Sequence, residues 1–304
     1  MTEPHTQLKY RLRAMLIKVL FALLARLSLR NNQRIGALLG GLAIMLPNRN
    51  RRITRVNIQA CFPDWSKEEQ RRLVRNSLIE TGKTATEVVP MWLWDSHKVL
   101  ATIQEVHGEK LLQDAYASQQ GVILAFPHLG NWEIVSLYCS SRYPMTTLYQ
   151  PPRLMQFDAM IRHGRERLGA KLVATDNTGV RALLAALKQG EMIGVLPDQE
   201  PKFGNGVFAP FFNIPAYSGT LVSRLVNKTN AMVIFAYAER LPKGEGYQLY
   251  FSAAGKAIYA DDLQTSVAGL NQGVENCIRS IPEQYQWSYY RFRSRPEGDK
   301  PFYK

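Results

Sequence analysis

One stretch of the chain places a histidine and a carboxylate five positions apart. His128 follows an apolar run at 121–126 and Pro127, and Glu133 comes shortly after it. On one continuous helix the two side chains would point about 140° apart. They meet only if the histidine stands in a turn and the glutamate in the first turn of a helix. Glu133 would then accept a hydrogen bond from one ring N–H and leave the other nitrogen basic. The pair therefore predicts a general base that activates a hydroxyl group.

The residues around the pair are typical of that geometry. The run at 121–126 is apolar and rich in β-branched residues, which predicts a buried strand, and Pro127 ends it. Asn131 is suited to cap a new helix, which we expect to continue over 132–139. The spacing alone is also compatible with a loop histidine that a nearby glutamate merely caps.

Downstream of this stretch the sequence alternates strand and helix patterns. The apolar runs predict strands at 146–149, 171–174, 192–196, 232–239 and 247–253, and helices at 154–168, 180–188, 218–228 and 263–280, with a loop over 199–216. This alternation predicts an α/β fold with a mixed, largely parallel central sheet flanked by helices. Ligand chemistry in such sheets gathers at the carboxyl ends of strands. His128 and Asp198 both follow predicted strands, so both are candidate site residues.

The amino-terminal part of the chain is both basic and apolar. The net charge is +13, and residues 1–60 hold eleven Lys and Arg but one acidic residue. The apolar segment 14–29 reaches about 24 Å as a helix, short of the ~30 Å core of a bilayer. We therefore expect 1–34 to be a membrane anchor whose helix lies in the interface of an anionic membrane, and 35–304 to form a single α/β domain. A helix packed on its own domain is the alternative.

Other partners and compartments are constrained by what the sequence lacks. It contains none of the usual nucleic-acid modules, so we expect no nucleic-acid partner. Its three cysteines, Cys61, Cys139 and Cys277, are far apart and odd in number, and their spacing indicates neither a metal site nor a disulfide framework. A reducing compartment fits this usage.

Four blocks of the sequence resemble those of one enzyme family. The segment 127–133, Pro-His-Leu-Gly-Asn-Trp-Glu, resembles the block that marks the late (secondary) acyltransferases of lipid A biosynthesis, within the wider group of His-x4-Asp/Glu glycerolipid acyltransferases. The segment 160–169 is similar to the family's arginine block, with Arg165 in the place of the functional arginine. The segments 197–199 and 282–296 are similar to its Pro-Asp-Gln block and its carboxyl-terminal signature. Gln150 departs from the pattern, because the family often has a basic residue there, and 213–220 fits only loosely.

The resemblance implies a fold, a reaction and a location. The fold would be like that of glycerol-3-phosphate acyltransferase. The reaction would transfer a fatty acyl chain from acyl carrier protein to a hydroxyl of a lipid A precursor, on the cytoplasmic side of the cell inner membrane. His128 would be the general base, oriented by Glu133. We expect no covalent acyl-enzyme, no metal and no cofactor beyond the acyl carrier protein that brings the acyl chain.

Roles for the remaining site residues follow from the same comparison and stay open between alternatives. Arg165, or a backbone N–H near Gly130, would stabilise the oxyanion, and Arg165 also suits the phosphates of the acceptor. Asp198 would orient Arg165 or a substrate hydroxyl, and Asn131 would bind substrate. An acyltransferase for another glycolipid or a lysophospholipid, and a non-catalytic lipid-binding protein, are the alternative functions. The sequence leaves the acyl chain length, the acceptor hydroxyl and the oligomeric state undetermined.

Overall fold

A seven-stranded sheet forms the centre of the molecule. The computed structural model describes residues 4–152 and 154–303. In chain order the strands of the described residues are β1 Ile103–His107, β2 Val122–Ala125, β3 Met145–Tyr149, β4 Ala170–Ala174, β5 Met192–Val195, β6 Gly206–Phe211, β7 Ile214–Gly219, β8 Met232–Arg240 and β9 Tyr247–Ala253. All but β6 and β7 belong to the central sheet. The sheet has the order β1-β9-β8-β2-β5-β3-β4, and every neighbouring pair is parallel except β8 and β9. The predicted mixed, largely parallel sheet is confirmed.

Helices cover both faces of this sheet. They are α1 Pro4–Arg26, α2 Leu29–Met45, α3 Arg49–Cys61, α4 Lys67–Leu93, α5 Ser96–Leu100, α6 Glu109–Ala117, α7 Trp132–Ser140, α8 Asp158–Glu166, α9 Asn177–Lys188, α10 Leu221–Thr229 and α11 Leu263–Ser280. Successive side chains of β2 alternate between two hydrophobic cores, as a strand buried on both faces requires. Ile123 packs in the core with α9, α10 and α11, whereas Leu124 packs in the core with α6 and α7.

Two parts of the sheet region differ from the sequence-based expectation. The prediction of a loop over 199–216 was wrong in its second half, where β6 and β7 form an antiparallel hairpin. The two residues that join these strands, Phe212 and Asn213, both have positive φ, 50° and 60°. Strand β1 at the sheet edge was not predicted. Neither difference lies in the strands that carry His128 and Asp198.

Helix α2 packs against α4 at very short distance. A Cβ atom added to Gly40 would lie 2.4 Å from the carbonyl oxygen of Leu78, and one added to Gly82 would lie 2.1 Å from that of Gly36. Only glycine permits this approach. The predicted boundary between 34 and 35 falls inside α2, which continues across it. Residues 1–3 of the predicted anchor and residue 304 of the predicted domain lie outside the described residues.

The amino-terminal helices leave an apolar surface uncovered. We call it the N-terminal apolar face, and its members, each at least half exposed, are Met15, Leu16, Val19, Leu20 and Leu23 of α1 with Leu38, Leu39, Leu42, Met45 and the following Leu46 of α2. The carboxyl end of α1 is tied to the domain, since the Trp94 indole donates to the carbonyl of Ala25 at 2.7 Å. Of the helices that the structure describes, none has the length and hydrophobicity to cross a bilayer.

Candidate active site

The site begins at the carboxyl ends of two neighbouring strands. Strands β2 and β5 are parallel and in register, with Ala125 paired to Val195. Each strand is followed by an apolar residue, a proline and a polar residue, so His128 and Asp198 both stand three positions beyond a paired residue. The register alone therefore brings these two side chains together. Parallel strands end at the same edge of a sheet, which is where such folds place their chemistry.

Asp198 holds His128 through two contacts. One carboxylate oxygen lies 2.9 Å from the ring Nδ1 of His128, and the other accepts the backbone N–H of the same residue at 3.0 Å. Asp198 is buried, with 2% of its side chain exposed, whereas 17% of His128 is exposed. Burial alone would raise the pKa of Asp198, but the His128 ring and these hydrogen bonds hold the pKa below its ordinary value. Asp198 is therefore ionised, and it fixes both the position and the tautomer of the ring.

The second ring nitrogen of His128 is the one left for chemistry. Its Nε2 lies 3.3 Å from the side-chain amide nitrogen of Gln199, which also donates to Gln286 at 3.4 Å. With Nδ1–H donated to Asp198, Nε2 carries the lone pair that accepts from this amide. The indole of Trp132 packs edge-on against the ring at 5.0 Å. A substrate hydroxyl that takes the place of the Gln199 amide would meet a basic nitrogen.

Glu133 does not orient His128, contrary to the sequence-based prediction. Its carboxylate pairs instead with Arg165, accepting from Nε at 2.9 Å and from Nη2. Glu133 is buried on the first turn of α7, and Arg165 reaches it from the last turn of α8. Burial alone would lower the pKa of Arg165, but the Glu133 carboxylate raises it above its ordinary value. The expectation that Asp198 orients Arg165 is wrong for the same reason, because Glu133 has that place.

Two further expectations about the turn after β2 are also corrected. Asn131 caps α7 as predicted, accepting from the backbone N–H of Ile134, but its amide donates to the Tyr247 hydroxyl at 2.9 Å inside the core. It does not line the cavity described below, so it is a structural residue rather than a substrate ligand. The backbone N–H of Gly130 donates to the carbonyl of Gln284 at 3.0 Å, and that of Asn131 donates to Ala238. These groups are therefore not available to an oxyanion.

A cavity of about 470 Å³ opens in front of His128. Its polar lining includes His128, Glu133, Gln150, Arg165 and Gln199, and its apolar lining includes Phe126, Trp132, Leu148, Leu172, Leu196, Leu221 and Leu270. A mainly apolar wall with a few convergent polar groups, at this size, is typical of a small-molecule site. The histidine and the Glu133–Arg165 pair thus share one cavity, although they do not contact each other.

The role of Asp198 is what sequence reasoning missed, although a signal for it was present. The segments 125–128 and 195–198 have the same pattern of strand end, apolar residue, proline and polar residue. Two such segments on adjacent parallel strands must place their polar residues side by side. Strand order, which the sequence does not give directly, is needed to use that signal. The contact of Gln199 with Nε2 depends on the same strand pairing.

This sheet and this site define an α/β enzyme with a carboxylate-held histidine at the edge of its sheet. The chain belongs to the bacterial lipid A biosynthesis acyltransferase family, whose model matches residues 3–294. It is therefore an acyltransferase of lipid A biosynthesis, and the family implies a lipid A precursor as acceptor. The family that the sequence blocks resemble is thereby confirmed.

Three relatives from Escherichia coli (strain K12) show how far the likeness extends. The chain is 30% identical over 266 residues to a lipid A biosynthesis lauroyltransferase, covering 87% of this chain and 86% of the relative. It is 28% identical over 273 residues to a lipid A biosynthesis palmitoleoyltransferase, covering 88% and 87%. It is 24% identical over 276 residues to a lipid A biosynthesis myristoyltransferase, covering 88% and 83%. The three names differ in the acyl group that each relative transfers.

Proposed function

We propose that this protein transfers a fatty acyl chain from the thioester of acyl carrier protein to a hydroxyl of a lipid A precursor, with His128 as the general base. The observation that carries the proposal is the contact of the His128 Nδ1 with the buried, ionised Asp198, while His128 itself lines an apolar cavity. In a histidine held in this way, one ring nitrogen is hydrogen-bonded to the carboxylate and the other is free to bind the substrate.

The proton steps follow from this arrangement. Nε2 of His128 removes the proton of the acceptor hydroxyl as its oxygen attacks the thioester carbon, and Asp198 stabilises the resulting imidazolium. The tetrahedral intermediate then collapses, the carbon–sulfur bond breaks, and the imidazolium gives its proton to the departing thiolate of acyl carrier protein, which leaves as the thiol. Among the described residues, no Ser, Thr or Cys side chain is hydrogen-bonded to the His128 ring. Direct transfer without a covalent acyl-enzyme is therefore the simpler route.

Arg165 supplies the positive charge of the cavity. Glu133 holds its guanidinium in place, and the rings of Trp92 and Tyr149 lie 5.9 and 5.6 Å from it. A fixed guanidinium costs little reorganisation when negative charge develops beside it. We assign Arg165 to the oxyanion of the tetrahedral intermediate, and Glu133 to positioning Arg165. The apolar walls of the cavity, such as Leu148 and Leu172, suit the acyl chain.

We further propose that the N-terminal apolar face attaches the protein to the cytoplasmic side of the inner membrane. Its ten apolar residues form continuous strips on α1 and α2, since each strip repeats at three- or four-residue spacing. Exposed apolar strips of this length are unusual on a monomeric protein in water and typically mark an interaction site. The acceptor and the product are lipids, so attachment would place the enzyme where its substrates reside.

The direct test is transfer of a radiolabelled acyl chain from acyl carrier protein to purified acceptors. We expect the wild type to acylate a lipid A precursor in preference to other glycolipids and to lysophospholipids. The variant His128→Ala should lose this transfer by at least about 10³-fold while keeping the wild-type circular dichroism spectrum. His163→Ala is the matched control, because His163 is exposed on α8 and should be dispensable.

Three results would contradict the proposal. Preferential acylation of a lysophospholipid would show that the acceptor is not a lipid A precursor. Full transfer by the folded His128→Ala variant would exclude His128 as the base. If neither protein transfers an acyl chain but both bind the lipid, the protein is a lipid-binding module on an acyltransferase scaffold.

A further inference from the structure

A second concave surface lies away from the candidate active site, between α3 and α4. We call it the basic groove. It has a volume of about 600 Å³, and its lining consists of Ile44, Arg51, Arg55, Gln59, Pro63, Lys67, Gln70, Arg71, Val74, Arg75 and Leu78. It shares no residue with the cavity in front of His128. Nothing in the proposed acyl transfer uses it.

The cations of the basic groove are arranged in two facing rows. Arg51 and Arg55 are four residues apart on α3, while Lys67, Arg71 and Arg75 follow at the same spacing on α4. Residues four apart on a helix point to the same side, so each row faces the groove as a unit. Among the residues that the structure describes, no Asp or Glu lines the groove.

This concentration of like charge is uncompensated within the groove. Glu68 approaches Arg71 at 3.9 Å, but both side chains are highly exposed, 84% and 76%, so this ion pair is strongly screened. Like charges four apart on a helix destabilise it. The first turn of α3 also carries no acidic residue, although the helix N-terminus favours negative charge. An anion between the two rows would relieve this repulsion.

The position of the basic groove indicates which anion. Ile44 of α2 lines the groove, and its neighbours Met45 and Leu46 belong to the N-terminal apolar face, with exposed fractions of 76% and 62%. A cationic concavity therefore borders an exposed apolar strip. A small phosphate would contact only the cationic concavity, and an acidic soluble protein would leave the apolar strip exposed to water. A molecule with an anionic head and apolar chains would use both.

We propose that the basic groove binds the head group of an anionic phospholipid, whose acyl chains lie against the α2 part of the N-terminal apolar face. The groove would add selectivity for anionic membranes to an attachment that the apolar face supplies by itself. This inference rests on the proposed membrane attachment but not on the catalytic role of His128.

The test compares binding of the full chain to two kinds of vesicle, by flotation. One kind is pure phosphatidylcholine, and the other is phosphatidylcholine with an equal part of phosphatidylglycerol. We expect the wild type to bind the anionic vesicles at least about tenfold more tightly, with a preference that weakens as salt is added. The triple variant R51Q/R55Q/R75Q should lose most of this preference and keep the wild-type affinity for phosphatidylcholine.

A charge-matched control separates the groove from the overall charge. The variant R181Q/K188Q/K228Q removes the same three charges from exposed positions on α9 and α10 and should keep the preference. A groove variant with an undiminished preference would overturn the proposal. The proposal would also be overturned if the groove variant had a higher KM for acyl carrier protein in detergent solution, because the groove would then bind the donor protein. If the wild type binds neither kind of vesicle, the proposed membrane attachment is wrong. If it binds both kinds equally, only the proposed role of the groove is wrong.

Discussion

The His128 side chain is clamped by a single carboxylate that also binds its backbone. Asp198 accepts from the backbone N–H of His128 at 3.0 Å and contacts Nδ1 at 2.9 Å. Because both the backbone N–H and the ring Nδ1 of His128 are bound, the orientation of the ring is fixed. Burial of Asp198 makes the clamp stronger, because the local dielectric is low. The residue that orients the proposed base is therefore Asp198.

The first prediction concerns the variant Asp198→Asn. Its amide can donate a hydrogen to Nδ1 and thereby favour the tautomer with a proton on Nε2, which cannot act as a base. The amide also cannot stabilise an imidazolium. We expect kcat for acyl transfer to fall by about 10²–10⁴-fold. Asp114→Asn, at an exposed residue of α6, is the control and should keep the wild-type rate.

The same carboxylate predicts a pH dependence of stability. Folding lowers the pKa of Asp198 below its ordinary value of 3.8, so the ionised form stabilises the fold at neutral pH. This contribution is lost as the pH falls below about 4 and through the lower folded-state pKa. The free energy of unfolding, measured in urea, should therefore fall more steeply with acidification in the wild type than in Asp198→Asn. Parallel curves would contradict the ionised assignment.

A double-mutant cycle separates two roles for Glu133. If Glu133 acts only by holding Arg165, the variants Glu133→Gln and Arg165→Gln remove one function, and the double variant loses no more activity than the worse single variant. If Glu133 acts directly on His128, the two losses in kcat add as free energies. We expect the non-additive result, with losses of about 10²–10³-fold for each variant. Urea unfolding of all three variants checks that the activity changes do not reflect unfolding.

At the scale of elements, the parallel register of β2 and β5 brings together the residues of the candidate active site. Pairing of Ala125 with Val195 places His128 beside Asp198 without any further adjustment. A slip of one strand by one residue would move its side chains to the opposite face of the sheet, so the two polar side chains would no longer lie together. The buried apolar residues of β2 and β5 on both faces prevent such a slip, because it would exchange the two cores.

The contact between α2 and α4 gives a prediction with an internal control. Gly40→Ala places a Cβ 2.4 Å from the Leu78 carbonyl and 2.6 Å from the Ile79 Cα, both backbone atoms, so the helices must separate. We expect this variant to lose about 1–3 kcal/mol of unfolding free energy. Gly41→Ala meets nothing within 4 Å and should gain up to about 1 kcal/mol. Urea denaturation of the two variants measures both, and equal effects would contradict the packing.

The β6–β7 hairpin shows why one element was not predicted. Its two-residue connection has positive φ at Phe212 and Asn213, as a type I′ turn requires, but the usual Asn-Gly signal is absent. The strained Phe212 is compensated by tertiary contacts. Its backbone N–H donates to Glu275 at 2.7 Å, and its ring packs against Phe62 and Trp287. Because these partners are remote in sequence, a local pattern could not indicate the turn.

At the scale of the whole molecule, helix α4 contacts both the amino-terminal helices and the candidate active site. Gly82 of this helix packs against Gly36 and Gly40 of α2, and the ring of its Trp92 lies beside Arg165 in the candidate active site. The indole of Trp94 bonds α1 at Ala25. One long helix therefore connects the proposed membrane-binding surface to the candidate active site.

The last prediction tests the N-terminal apolar face. The triple variant L38Q/L42Q/M45Q changes α2 side chains that are 70%, 56% and 76% exposed, so the fold should be unaffected. We expect at least about tenfold weaker binding to phosphatidylcholine vesicles, since three apolar side chains no longer leave water. The control M155Q/F203Q alters two exposed apolar residues elsewhere, which are 62% and 99% exposed. If both variants lose binding equally, the attachment is not specific to this face.

The sequence by itself determined the family, the α/β alternation and the position of His128 at a strand end. These features depend on local patterns: an apolar run, a proline that ends it, and Asn131 at the start of α7. Only the tertiary structure decided which carboxylate serves the histidine. Asp198 is seventy positions away along the chain and reaches His128 through the pairing of β2 with β5. Glu133, though near in sequence, begins a helix that directs it to Arg165 on another helix. A hydrogen bond depends on distance in space, and strand order sets that distance here.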